Sequence, residues 1–98
     1  MSAALDHPDT AALFRALGDP RRLAILADLA ARGAPARVMD IGTCCGIDVS
    51  GVSRHLKTLR DAGLVSAKKQ GRETLYALRA RELADALEAT AEYIRRCC

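Results

Sequence analysis

Apolar residues recur at helical spacing through most of the chain, and the recurrence is broken at a few marked points. Residues 9–18, DTAALFRALG, predict a first helix with an acidic start and a glycine stop. Asp19 then stands as a cap and Pro20 at the first helical position, where its missing N–H costs nothing. A second helix is therefore expected, with Leu23, Leu26, Ala27 and Ala30 as its apolar stripe, until Gly33, Ala34 and Pro35 break it. A short helix is expected over residues 39–45, stopped by Gly46. Asp48 can cap a further helix over residues 49–62, in which Val52, Leu56 and Leu59 share one face and Ser50, Ser53, Arg54 and Lys57 fall largely on others.

After Gly63 the period changes. Residues 64–69 and 73–78 read as two short strands around Gln70, Gly71 and Arg72, a hairpin tip with basic residues on both sides. A last helix from about Arg81 carries Leu83, Leu87, Ala91 and Ile94 in one stripe. Residues 1–8 read as a short flexible lead, and no repeat or linker divides residues 9–98. The expected fold is mostly α with a small β-hairpin, an α+β domain.

Composition narrows this picture. The 98 residues suit one domain with a modest core, and with Phe14, Tyr76 and Tyr93 as its aromatics that core must be aliphatic. No run of 18 apolar residues and no export signal is legible, so a membrane span is not expected and a cytoplasmic, reducing location is. The formal charge of +3 gains meaning from its distribution. Residues 53–72 hold Arg54, Lys57, Arg60, Lys68, Lys69 and Arg72 against Asp61 alone, a local +5, while the remainder carries −2. A phosphate-facing surface needs such a concentration, although a solvated charged face can also produce one. A polar-faced basic helix followed by a basic hairpin suits DNA: the helix fits the major groove, and the hairpin tip reaches the adjacent backbone or minor groove.

Three segments in this order and spacing, FRALGDPRRLAIL (14–26), VSRHLKTLRDAGLV (52–65) and KQGRETLYAL (69–78), resemble the ArsR/SmtB family of bacterial repressors. The resemblance implies a winged helix-turn-helix fold and a homodimer formed through the first and last helices. It also implies double-stranded DNA with an inverted-repeat operator as the partner. By position in the recognition helix, Ser50, Ser53, Arg54 and His55 are candidates for base or phosphate contacts, and Lys57 and Arg60 for phosphate. Lys68, Lys69, Gln70 and Arg72 would serve the wing. Each basic residue has solubility as its alternative role, and His55 has packing against the neighbouring helix.

The cysteines form two vicinal pairs, Cys44–Cys45 and Cys97–Cys98. The family's thiol motif of cysteine, valine, cysteine and aspartate falls here on Arg37, Val38, Met39 and Asp40, so that site is missing. Its histidine and carboxylate site on the last helix is not expected either, since the histidines are His7 and His55. The four thiols are then the candidate metal ligands, favouring As(III), Cd(II), Pb(II), Hg(II) or Cu(I) as inducer. Adjacent cysteines on a helix diverge, so both pairs would be needed, one of them from the partner subunit in one arrangement. The alternatives are burial of Cys44 or Cys45 in the core and thiol-based redox or persulfide sensing. An enzyme is not expected: no pair has the C-x-x-C spacing, and no nucleotide-binding glycine loop or Ser-His-Asp set is legible. A protein-interaction module on the same fold would leave the basic segment without a use.

Overall fold

The computed structural model describes residues 5–42 and 46–97. Four helices, α1 (Pro8–Leu17), α2 (Pro20–Arg32), α3 (Val49–Asp61) and α4 (Ala80–Cys97), surround a small sheet of β1 (Ala36–Arg37), β2 (Val65–Gln70) and β3 (Glu73–Leu78). The strand order is β1-β3-β2 and both pairings are antiparallel; β2 meets β3 from Val65 opposite Leu78 to Gln70 opposite Glu73. This is the expected α+β winged helix-turn-helix arrangement, with a third strand added. Two residues are too short for a period-2 signal, so β1 was not legible; it exists because Ala36 and Arg37 pair with Tyr76 and Leu75.

One core joins the elements. Leu13 and Ala16 of α1, Ile25, Leu26 and Leu29 of α2, Ile41, Val52, Leu56 and Leu59 of α3, and Leu64 and Val65 at the start of the wing are all buried. Burying each Leu, Ile or Val side chain contributes about 1.5–3 kcal/mol. The face of α2 departs from the expected stripe. Leu26 is buried, but Leu23, Ala27 and Ala30 are exposed and Ile25 and Leu29 take their place. The helix carries apolar residues on two sides, and contact with α1 and α3 selects the one holding the larger β-branched side chain.

Three boundaries also shift. Pro8, expected to end the lead, is the first residue of α1, with His7 as its cap through Nδ1 accepting from the Asp9 N–H at 3.1 Å. Residues 1–4 of that lead lie outside the described residues. The helix expected over residues 39–45 is instead a single 3-10 turn, Val38–Asp40, followed by extended Ile41. Gly42, at φ +79°, turns the chain away from the helical path, and a Cβ added there would sit 3.0 Å from Val52 Cγ2. Residues 43–45 lie outside the described residues. In α4 the side facing the core holds buried Ala86 and Thr90, the Thr90 hydroxyl donating to the Ala86 carbonyl at 2.8 Å. Of the expected stripe, Leu83 packs on the core and Ala91 is half-buried, whereas Leu87 and Ile94 are exposed. No helix among the described residues is long and apolar enough to cross a membrane.

Candidate nucleic-acid interface

The placement of α3 is decided at its two ends. At its start the Asp48 carboxylate accepts from the Gly51 N–H at 2.7 Å and from the Ser50 hydroxyl at 3.4 Å. A side chain at position 51 would collide with that carboxylate, which explains a glycine inside the helix. At its end the Leu64 N–H reaches the Leu59 carbonyl at 2.9 Å and the Gly63 N–H reaches that of Arg60 at 2.9 Å, with Gly63 at φ +80°. This is a Schellman closure, and its apolar partners Leu59 and Leu64 are both fully buried. It fixes the angle at which the helix passes into the wing.

Val52, Leu56 and Leu59 hold α3 to the core, so the opposite side is solvent-facing. Ser50, Arg54 and Lys57 line its middle, and Val49, Ser53 and Arg60 lie exposed on one flank. Lys57 pairs with Asp61 at 3.2 Å, an exposed i,i+4 contact worth under about 1 kcal/mol and therefore easily exchanged for a phosphate. In the wing, Lys68, Lys69, Gln70 and Arg72 are all exposed around the two-residue loop Gly71–Arg72. Thus the structure brings Ser50, Ser53, Arg54 and Lys57 to one exposed helix surface and the other four to the hairpin. His55 is different: it is half-buried, with Nδ1 3.5 Å from Arg22 Nη1.

Arg22 joins the site only through the fold, and no sequence pattern singled it out. Its Nε donates to the Ala16 carbonyl at 2.6 Å and its Nη2 to that of Arg15 at 2.8 Å, while Nη1 faces His55. One guanidinium thereby closes the end of α1 and buttresses α3. Only the string of two arginines after Pro20 hinted at it. Asp19 supports the same corner by accepting from the Arg21 and Arg22 N–H groups at 2.7 and 3.3 Å. Desolvation works against its charged form, but those two donors and the Arg22 and His55 charges prevail and hold the carboxyl below its ordinary value. On the other side, Arg37 bridges Asp40 at 3.0 Å and Glu73 at 3.1 Å, tying the 3-10 turn to β3; hydrogen bonds to those carboxylates raise its pKa.

Of the four candidate thiols, Cys44, Cys45 and Cys98 lie outside the described residues. Cys97 is an exposed free thiol on the last residue of α4. Its sulfur, hydrogen-bonded to Tyr93 one turn earlier, raises the phenol pKa. Among the described residues no cluster of three or more His, Cys, Asp or Glu side chains is arranged to hold a metal ion. Positions 37–40 are instead occupied by the ion pair of Arg37 with Asp40.

Residues 17–66 match a helix-turn-helix domain family. The chain is 39% identical over 74 residues to the uncharacterized HTH-type transcriptional regulator YceK of Bacillus subtilis, covering 76% of this chain and 74% of that protein. It is 40% identical over 80 residues to the probable mercury resistance operon repressor of Streptomyces lividans, covering 81% of this chain and 62% of the relative. The chain thus spans just under two thirds of the latter's length. Among solved structures, an ArsR family transcriptional regulator superposes with a TM-score of 0.79 at 28% identity, over 91% of this chain and 94% of its own. The homodimeric winged helix-turn-helix DNA-binding domain Mb0332 of Mycobacterium bovis gives 0.68 at 29% identity, over 90% and 83%. The cadmium metal-sensor CmtR of Mycobacterium tuberculosis gives 0.62 at 41% identity, over 80% and 78%. From these likenesses, and from an α3 and hairpin set as a recognition helix and wing, the chain belongs to the ArsR/SmtB family of winged helix-turn-helix transcriptional regulators.

Proposed function

We propose that this protein is a repressor that binds double-stranded operator DNA as a homodimer and leaves it when a thiophilic metal or metalloid ion is held by cysteine thiolates. The observation that carries the DNA reading is the row Ser50, Arg54 and Lys57, exposed on the side of α3 opposite Val52, Leu56 and Leu59 and followed by Lys68, Lys69, Gln70 and Arg72 on the wing. In this reading α3 enters the major groove, where Ser50 and Ser53 reach base edges. The basic residues engage phosphates, and His55 braces Arg22 rather than reading bases.

The dimer reading is supported by apolar side chains that one protomer leaves in water. Leu5, Phe14, Leu87 and Ile94, beside or on α1 and α4, are 39–52% exposed. An isologous interface through these helices sets two α3 helices for two halves of an inverted repeat, as suits a family whose member Mb0332 is described as homodimeric.

The inducer reading is supported by donor chemistry. Helix α4 has no histidine, and thiolates are soft ligands that prefer As(III), Cd(II), Pb(II), Hg(II) or Cu(I) to hard cations. The names of two relatives, a mercury resistance operon repressor and a cadmium sensor, point the same way. Cys44 and Cys45 stand just ahead of α3 in sequence, so an ion joining them to Cys97 and Cys98 would favour a geometry that binds DNA less well. The test is fluorescence anisotropy of the reduced protein on an inverted repeat from upstream of its own gene, with each ion added in turn. Release by one of these ions that is lost in a Cys44→Ser, Cys45→Ser variant is expected. Release by peroxide or persulfide alone would replace the metal with a redox signal.

A further inference from the structure

Arg21 and Arg22 are adjacent in sequence, yet the structure gives them opposite employment. Arg22 is occupied by two carbonyls and by His55. Arg21, on the exposed first turn of α2, makes no side-chain hydrogen bond or ion pair among the described residues, and neither does Arg54 on α3. Both line one open cleft of about 260 Å³, together with Gly46, Ile47, Asp48, Gly51 and His55. Asp48, the carboxylate lining this cleft among the described residues, is engaged by the Gly51 N–H and the Ser50 hydroxyl and lies in no ion pair with either arginine. Two guanidinium groups therefore share a polar cleft without a counter-charge, and an anion between them would relieve their repulsion and accept from both planar forks.

We infer that Arg21 and Arg54 form a clamp for one backbone phosphate of the DNA, which makes α2 a part of the nucleic-acid footprint; this rests on the DNA-binding reading above. Arg54 belongs to the solvent-facing row of α3, and the cleft opens on the flank where Arg54 and His55 meet α2. With the middle of α3 in the major groove, that flank faces one wall of the groove, and a wall of the groove is a line of phosphodiesters. Arg21 extends the contact beyond what α3 reaches alone. Because the contact is to phosphate, it adds affinity without sequence preference.

Arg21→Ala is compared with wild type and with Arg81→Ala, which removes an exposed charge at the start of α4, by anisotropy on specific and scrambled duplexes from about 50 to 300 mM salt. The expected result is weaker binding of Arg21→Ala by the same factor on both duplexes. Its slope of log affinity against log salt should be shallower by about 0.9 per protomer, with the Arg81→Ala slope unchanged. An unaltered slope in Arg21→Ala, or a loss confined to the specific duplex, overturns the clamp while leaving the DNA reading in place. Inorganic phosphate titrated into the free protein at constant ionic strength supplies the other arm. A thermal shift that Arg21→Ala abolishes, with no change in DNA slope, would assign the cleft to a free anion instead. Failure of the wild type to bind any duplex overturns the underlying reading and the clamp with it.

Discussion

Three side chains do most of the positioning, and each acts by satisfying backbone groups that a helix end leaves unpaired. Asp48 starts the recognition helix and Asp19 starts α2; both were legible, because a cap is a local relation between a short polar side chain and an N–H two or three residues on. Arg22 was not legible. Its partners are carbonyls six and seven residues earlier and a histidine 33 residues later, a relation that exists only once α1, α2 and α3 have packed. Charge-assisted hydrogen bonds of this kind contribute about 1.5–3 kcal/mol. Arg22→Ala is accordingly expected to lower stability by an amount in that range, about 4–8 °C of Tm for each kcal/mol. Arg22→Lys should recover little of it, since one ammonium cannot span both carbonyls and His55. Thermal denaturation followed by circular dichroism measures both, and an unchanged Tm in Arg22→Ala would remove the clamp on α1 from the account.

At the scale of elements, periodicity serves best where one period dominates. Helix α3 has one apolar face and its buried set is the one that spacing implies. Helix α2 has two apolar faces, and periodicity cannot choose between Leu23, Ala27 and Ala30 and the Ile25 and Leu29 that contact α1 and α3. The short turn after β1 differs from the expected helix because Gly42 acts on the backbone and not on the apolar pattern. Helix α4 shows the reverse case: its stripe through Leu87 and Ile94 is strongly periodic, yet that side is exposed in the single chain. A stripe of this kind needs a partner, and the family's dimer supplies one. Leu87→Glu with Ile94→Glu is expected to give a monomer with the same circular dichroism spectrum and weakened DNA binding. Sedimentation velocity reads the first effect and anisotropy the second; a dimer that persists in this variant would move the interface elsewhere.

Across the whole molecule, the division of charge is legible in the order of residues alone: a +5 segment in a chain of net +3. Folding then turns a stretch of sequence into a surface, since α3 and the β2–β3 hairpin present its basic residues while their apolar residues enter the common core. The thiols do not gain from folding in the same way, because three of the four lie outside the described residues and spacing alone cannot say which atoms meet. The account therefore stands first on DNA binding by this surface. The most direct measurement is the affinity of the reduced protein for an inverted-repeat duplex and for a scrambled duplex, by anisotropy, between about 50 and 200 mM salt. The account predicts preference for the inverted repeat and a loss of about 10³-fold or more in affinity across that range, as expected for roughly six or more phosphate contacts in a dimer. Equal, weak binding to both duplexes that hardly responds to salt would contradict it.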